Sequence, residues 1–179
     1  QSVGQYMRFR KTRKGYESLS RGIIAAGAGD AAAASKHAAI AGNALADEPL
    51  VNVLAAQALA SACKLHHINR FLYASTCSVY GIGADLLDEN APLNPVSLYA
   101  RTKIESEKII LAMGDEYFSP TILRMGTLYG CSPRMRFDLV VNTMSMKSFA
   151  DGKIQVFGGR QWRPLLGVED AADVYIRCL

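Results

Sequence analysis

Tyr99 and Lys103 are the residues of this 179-residue sequence whose types and spacing most directly suggest chemistry. They lie four positions apart, and positions i and i+4 share one face of a helix. A free phenol has a pKa of about 10, and a neighbouring ammonium group favours its phenolate form, so such a pair suits proton transfer. Thr76, at the end of an apolar run, is placed to hold a substrate hydroxyl against the tyrosine. The pair alone is weak evidence, because tyrosine and lysine recur at this spacing on many solvated helices.

Alternating helices and apolar strands must position these residues, which predicts an α/β fold with a parallel sheet. We predict strands over residues 70–75, 120–124 and 154–157, and helices that begin at Pro49 and cover residues 98–113 and 137–150. Asp47 is expected to cap the helix that begins at Pro49. Residues 1–22 show no clear period, and the alanine-rich stretch 25–46 is either helical or low-complexity sequence.

The composition argues against a nucleic-acid-binding, membrane or metal-binding protein. Half of the residues are hydrophobic, a fifth are charged and the formal net charge is +4, as in ordinary globular proteins. Much of the basic excess lies in residues 8–14, which predicts a solvated or disordered basic end rather than a nucleic-acid-binding patch. No apolar stretch is long enough to span a bilayer, so no membrane association is expected. The cysteines form no C-x-x-C pair and His66-His67 has no partner ligands, so we predict reduced thiols, no metal site and a cytoplasmic location.

Further motifs occur in a fixed order around the tyrosine–lysine pair. The run S-T-C-S-V-Y-G covers residues 75–81, and L-R-M-G-T-L-Y-G covers residues 123–130. Together with residues 92–99, these motifs resemble the extended short-chain dehydrogenase/reductases, specifically the NAD-dependent epimerase/dehydratase family that acts on nucleotide sugars. The resemblance runs from about His37 to the C-terminus. It implies a partial Rossmann-like parallel sheet flanked by helices, followed by the start of a small substrate-binding subdomain.

The resemblance divides the chain into three regions. Residues 1–36 form an atypical basic and alanine-rich segment, residues 37–135 a partial dinucleotide-binding core, and residues 136–179 the start of the substrate-binding region. The family opens with a strand and a glycine-rich turn that cradles the dinucleotide pyrophosphate. The nearest candidate here, residues 27–32, matches weakly and lies too close to His37 for the usual intervening elements. We therefore expect a chain truncated at both ends relative to the family, with weak or absent dinucleotide binding.

The family resemblance also implies roles for individual residues. Thr76 holds the sugar hydroxyl, Tyr99 exchanges its proton, and Lys103 favours the tyrosinate and bonds the nicotinamide ribose, while NAD or NADP takes the hydride. The further residues expected to line the cofactor are Ala38, Ala39, Asn52 and Ser75. The further residues expected to bind the nucleotide-sugar diphosphate are Asn142 and Arg163, and a guanidinium suits that role.

The two residues after Thr76 help to choose the reaction. The family's sugar 4,6-dehydratases carry Asp and Glu there, whereas this chain has Cys77 and Ser78, which supply no carboxyl group. We therefore predict an NAD(P)-dependent nucleotide-sugar epimerase or, as a rival, a one-way NADP-linked sugar-nucleotide reductase, and a homodimer is possible. The alternative is a non-catalytic remnant of the family, which acts, if at all, as a binding module through an exposed sheet edge.

Overall fold

The computed structural model describes residues 3–46, 48–83, 86–156 and 158–179. Within these ranges the chain alternates helices with short parallel strands, and the predicted α/β class is confirmed. The elements in chain order are α1 (Val3–Gly27), α2 (Ala31–Ala44), α3 (Pro49–Leu65), β1 (Arg70–Thr76), a 3-10 helix (Cys77–Tyr80), α4 (Leu98–Ala112), β2 (Ser119–Met125), β3 (Thr127–Tyr129), α5 (Val140–Asp151), β4 (Leu165–Gly167) and α6 (Val168–Cys178).

Strands β1 and β2 pair in parallel, from Arg70 opposite Ser119 to Thr76 opposite Met125. One face of this sheet is covered by α3 and α4, around a core formed by Ala60, Phe71, Ile110 and Phe118. The rings of Phe71 and Phe118 lie 5.8 Å apart, within the range of favourable aromatic contacts. Because the strands are parallel and in register, their carboxyl ends lie side by side. This is the edge at which open α/β sheets carry their sites.

The N-terminal region is helical over its described residues, so of the two predicted alternatives the basic end is solvated rather than disordered. Helix α1 is exposed over residues 4–14 and then packs against α2 and α3. Added Cβ atoms at Gly15 and Gly22 would lie 2.7 Å from Leu45 Cγ and 2.5 Å from Leu54 Cδ2, so only glycine allows these helices to approach so closely. The buried face of α1 consists mainly of small residues, which produce little hydrophobic periodicity.

The glycine-rich candidate at residues 27–32 is a turn between two helices. It joins α1 to α2, and the carboxylate of Asp30 caps α2 by accepting a 2.9 Å hydrogen bond from Ala33 N. A dinucleotide-binding turn requires a strand before it, and a helix occupies that place here. The described residues therefore give this turn a structural role, and the alanine-rich stretch is helical.

The remaining predicted elements are confirmed except for one strand. Helix α3 begins at Pro49 as predicted, but Glu48 occupies the cap position without a side-chain bond, and Asp47 lies outside the described residues. Residues 154–156 are irregular, with Ile154 and Val156 more than half exposed, and Phe157 lies outside the described residues. Apolar alternation was insufficient here, since β3 pairs with β4 and leaves residues 154–156 without a partner strand in the described structure.

Candidate active site

Thr76 closes β1 and caps the 3-10 helix that follows. Its hydroxyl accepts a 3.2 Å hydrogen bond from Ser78 N and donates a 3.1 Å bond to Ser78 Oγ. A threonine hydroxyl has one donor and two acceptor positions, so one acceptor position is left after these contacts. Thr76 thus has a local structural role and retains limited capacity toward a ligand.

Gly81 fixes the path of the chain beyond the 3-10 helix. Its φ of 75° lies in the left-handed region, and an added Cβ would lie 2.0 Å from the carbonyl oxygen of Asn94. Asn94 N also donates a 3.0 Å hydrogen bond to Val79 O. The segment that leads into α4 is therefore held against the turn that follows β1, which brings the start of α4 toward Thr76.

Helix α4 carries Tyr99 in its first turn and Lys103 one turn later. Ser97 begins the helix by accepting a 3.1 Å hydrogen bond from Ala100 N. The ammonium of Lys103 donates to Ala74 O at 2.8 Å and lies 5.9 Å from the centre of the Tyr99 ring. The predicted common helix face is thus observed, and Tyr99 is 57% exposed.

Tyr73 is a further neighbour of Lys103 that the sequence did not reveal. The lysine ammonium lies 3.4 Å from the Tyr73 hydroxyl and 4.7 Å from the centre of its ring. A cation above an aromatic face is stabilised by the negative potential of that face. Lys103 is therefore held between β1 and the aromatic rings of Tyr73 and Tyr99.

A buried ion pair lies on the same side of the sheet. Arg124 Nη2 donates a 2.7 Å hydrogen bond to Glu107 Oε2, and the side chain of Glu107 is only 3% exposed. The hydroxyl of Ser75 also donates to this carboxylate. The hydrogen bonds to Glu107, followed by that to Tyr80, raise the pKa of Arg124 against the opposing effect of burial. The guanidinium of Arg124 therefore carries its positive charge at neutral pH.

Sequence reasoning assigned no role to Glu107 or Arg124, although two signals were present. Glu107 follows Lys103 by one helical turn, so the two residues share a face of α4. Arg124 lies in β2 opposite Ser75 of β1. It is a charged residue inside an otherwise uncharged strand. A charge at such a position requires a partner, which here is Glu107.

The side chains of Cys77 and Ser78 have different hydrogen-bond partners in the turn after β1. The Cys77 thiol lies 3.1 Å from Arg124 O, and burial raises the pKa of that thiol, which keeps it protonated at neutral pH. Ser78 Oγ accepts the hydrogen bond from Thr76 described above. Neither side chain supplies a carboxyl group.

The other predicted cofactor residues lie on helices, apart from Ser75. Ala38 is buried in the core between α1, α2 and α3, and Ala39 is exposed on α2. Asn52 is exposed in the first turn of α3. Ser75 is buried and its hydroxyl is engaged with Glu107. Their contact with a cofactor stays a prediction.

The two predicted substrate residues lie beyond β3. Asn142 on α5 accepts a 3.3 Å hydrogen bond from Gly130 N and donates a 3.1 Å bond to Arg136 O, so it ties α5 to the end of β3. Arg163 is exposed and donates to Gln161 Oε1 at 2.8 and 3.1 Å. Within the described residues Arg163 forms no ion pair, and its diphosphate-binding role stays a prediction.

Comparison with known proteins identifies the family. The model of the NAD dependent epimerase/dehydratase family matches residues 30–179, which is most of the chain. This chain therefore belongs to the NAD dependent epimerase/dehydratase family. Helix α1 precedes the matched region.

Individual relatives agree with this assignment. The chain is 36% identical over 121 residues to the uncharacterized UDP-glucose epimerase YtcB of Bacillus subtilis, covering 66% of this chain and 38% of YtcB. Its structure matches the NAD-dependent NDP-hexosamine 5,6-dehydratase TunA with a TM-score of 0.64 and 28% identity, over 72% of this chain and 44% of TunA. The chain thus spans about two-fifths of the length of these relatives.

A third similar protein has been solved with both ligands. The UDP-glucuronic acid 4-epimerase of Bacillus cereus, in complex with UDP-glucuronic acid and NAD, matches with a TM-score of 0.60 and 29% identity. The match covers 70% of this chain and 40% of the epimerase. These neighbours confirm the predicted Rossmann-like fold. No helix in the described ranges is long and apolar enough to cross a membrane.

Proposed function

We propose that this chain carries the proton-transfer site of an NAD(P)-dependent nucleotide-sugar epimerase, formed by Thr76, Tyr99 and Lys103. The observation that supports it best is the position of the Lys103 ammonium, 2.8 Å from Ala74 O and 5.9 Å from the centre of the Tyr99 ring. This contact holds a cation beside an exposed phenol at the carboxyl end of a parallel strand. Family membership and relatives that are themselves sugar-nucleotide epimerases or dehydratases support the same conclusion.

Each of the three residues has a distinct task in this proposal. The Thr76 hydroxyl turns from Ser78 Oγ to donate a hydrogen bond to the sugar hydroxyl oxygen, which leaves the single sugar O–H proton directed toward Tyr99. Tyr99 takes the hydroxyl proton during oxidation and returns it during reduction. Lys103 stabilises the negative charge that Tyr99 carries between these two transfers. NAD, when bound, supplies the hydride acceptor.

The residues present fit the nicotinamide ribose of NAD better than its pyrophosphate. An ammonium has three N–H donors. Lys103 uses two of them, toward Ala74 O and the Tyr73 hydroxyl, in the described structure, which leaves one donor for a ribose hydroxyl. The described residues contain no strand followed by a glycine turn and a helix that would cradle the pyrophosphate. We therefore expect this chain to bind NAD more weakly than a whole family member does.

An epimerase fits the site better than a dehydratase. Elimination of water needs an acid and a base beside the reacting sugar, and the residues after Thr76 are a protonated thiol and a hydroxyl. Epimerisation needs only reversible oxidation at one carbon, which the three proposed residues serve. Arg163 is the exposed cation proposed to bind the substrate diphosphate.

Proton NMR of UDP-sugars incubated with the chain and NAD⁺ tests this proposal. We expect slow interconversion of the two C4 epimers without net accumulation of NADH, and loss of conversion in Tyr99→Phe. The matched control is Tyr117→Phe, which alters another exposed tyrosine remote in sequence from the site. In a parallel incubation with NADPH, consumption of NADPH with net reduction of the sugar would favour the reductase. Equal conversion by Tyr99→Phe would contradict the proposed role.

The family to which this chain belongs is NAD dependent. The homodimer, the cytoplasmic location and the absence of nucleic-acid binding stay predictions. The rival reading, a non-catalytic family remnant, is favoured by a folded chain that converts no nucleotide sugar with either cofactor.

A further inference from the structure

The carboxylate of Glu107 is a charge buried on α4 among residues that form part of the core. Its neighbours along the same face of α4 include the buried residues Ile104 and Ile110. Burial of a charge opposes folding unless hydrogen bonds and an opposite charge compensate for the lost water. An apolar side chain would serve packing alone, whereas a carboxylate also fixes the positions of the groups that donate to it.

The partners of Glu107 come from both strands of the sheet. Arg124 on β2 donates to the carboxylate through Nη2 at 2.7 Å and through Nε at 3.2 Å. Ser75 on β1 donates to the other carboxylate oxygen. One carboxylate on α4 therefore fixes the helix against the ends of two strands that are themselves in register.

The second half of the guanidinium extends the network into the turn after β1. Arg124 Nη1 donates to the hydroxyl of Tyr80 at 2.9 Å and to the carbonyl oxygen of Glu89 at 3.2 Å. Tyr80 belongs to the 3-10 helix that Thr76 caps, and Glu89 lies in the segment that leads to α4. The Arg124 side chain thus contacts α4, the 3-10 helix and the segment before α4, and its backbone pairs with β1 at Ser75.

The residues that contact Arg124 or Glu107 are close in sequence to residues of the proposed site. Ser75 immediately precedes Thr76, and Glu107 lies one helical turn beyond Lys103. Neither Arg124 nor Glu107 forms a hydrogen bond to Thr76, Tyr99 or Lys103 within the described residues. Any effect on the site must therefore pass through the relative placement of β1, the 3-10 helix and α4.

We propose that Arg124 and Glu107 are positioning residues that set the distance between Thr76 on β1 and the Tyr99–Lys103 face of α4. This inference rests on the proposed function for its catalytic meaning, but its geometric content stands independently. Lysine cannot replace the arginine here, because its single ammonium cannot make the forked contact with Glu107 while also reaching Tyr80 and Glu89.

NMR of the full chain labelled with ¹⁵N-lysine tests this placement without requiring turnover. The ammonium signal of Lys103, assigned by its loss in Lys103→Arg, reports the contact with Ala74 O and the ring currents of Tyr73 and Tyr99. The variants are Arg124→Lys and the double variant Arg124→Met/Glu107→Leu, which replaces the buried pair by an apolar one and so protects folding. Circular dichroism confirms that each is folded.

The matched control, Lys64→Met, removes a different ion pair, which lies near the C-terminal end of α4. Lys64 on α3 contacts Asp115 at 2.5 Å and Met113 O at 2.8 Å, just beyond the end of α4. Lys64→Met therefore loosens the far end of the helix and leaves the Glu107 network intact. We expect the Lys103 signal to keep its wild-type position in this control.

The expected result is a Lys103 signal that moves toward the position of solvent-exposed lysines in both Arg124 variants. A Lys103 signal at its wild-type position in a folded Arg124→Lys or double variant overturns the proposal, as does an equal displacement in Lys64→Met. If the chain converts nucleotide sugars, Arg124→Lys is also expected to lower kcat at least tenfold with little change in KM. A displaced signal in a chain without turnover supports the positioning role and counts against the proposed function alone.

Discussion

The Lys103 ammonium donates a 2.8 Å hydrogen bond to the carbonyl oxygen of Ala74. Ala74 lies two residues before Thr76, and Lys103 lies one helical turn after Tyr99, so this contact joins the two parts of the candidate site. Removal of the ammonium breaks a structural link as well as removing a charge. Substitution of Tyr99 is therefore the cleaner test of chemistry, and substitution of Lys103 the cleaner test of assembly.

Tyr99→Phe should abolish activity without weakening the fold. Tyr99 is 57% exposed, and its hydroxyl forms no hydrogen bond within the described residues. We expect the melting temperature to stay within error of the wild type, while turnover falls about 10²- to 10⁴-fold, the usual contribution of a general acid–base group. Thermal denaturation and the epimerisation assay on the same preparations check both statements. A large drop in melting temperature would show that Tyr99 has a structural role instead.

Gly81→Ala should destabilise the turn after β1. The substitution forces a side chain onto a backbone with φ of 75° and places its Cβ 2.0 Å from Asn94 O. With ψ at −141° this backbone conformation is essentially restricted to glycine, so a residue with a Cβ costs about 1–3 kcal/mol here, and the clash adds to this. Urea denaturation measures the loss. Gly152→Ala is the matched control, because Gly152 also has a positive φ, of 63°, but has open space around its Cβ position.

The buried pair gives a non-additive prediction for stability. Arg124→Met alone leaves the Glu107 carboxylate buried without its cation, and we expect a loss of roughly 3 kcal/mol or more. The double variant Arg124→Met/Glu107→Leu removes both charges, so its loss should be clearly smaller than that of the single variant. Chemical denaturation of the three proteins measures these differences. Equal losses in the single and double variants would contradict this account of the pair.

The ion pair between Lys64 and Asp115 predicts a pH-dependent contribution to stability. Hydrogen bonds from Lys64, then from Tyr117 N, lower the pKa of Asp115. The carboxylate therefore binds fewer protons in the folded state, and the pair stabilises the fold above the unfolded pKa of about 3.9. Its contribution is lost as the pH falls from that value through the folded pKa. Urea denaturation of Lys64→Met and wild type should differ at pH 6 and converge in acid.

The sequence predicted those parts of the fold in which large apolar residues recur with a clear period. Strands β1 and β2 and helices α3, α4 and α5 belong to this group. Helix α1 was missed because its buried positions include Gly15, Ser18 and Gly22, whose small side chains leave little signal. The strand expected at residues 154–157 shows the opposite error, since apolar alternation does not supply the neighbouring strand that a ladder needs.

The candidate site was predictable where it depends on local spacing. Tyr99 and Lys103 share a face because they lie one turn apart on a helix. Glu107 and Arg124 are 17 residues apart in sequence, and their contact depends on how α4 packs against β2, which local patterns do not determine. The same is true of Tyr73 and Lys103, which are 30 residues apart.

The most direct test of the central claim is a titration of the ¹⁵N-lysine-labelled chain with NAD⁺, followed through the Lys103 ammonium signal. We predict a saturable displacement of that signal with an affinity weaker than micromolar, reaching about 90% of its limit at about 10 mM NAD⁺ if the dissociation constant is about 1 mM. AMP, which lacks the nicotinamide ribose, should leave the signal in place. A folded chain whose Lys103 signal does not move at any NAD⁺ concentration would contradict the claim that Thr76, Tyr99 and Lys103 form a cofactor-dependent site in this protein.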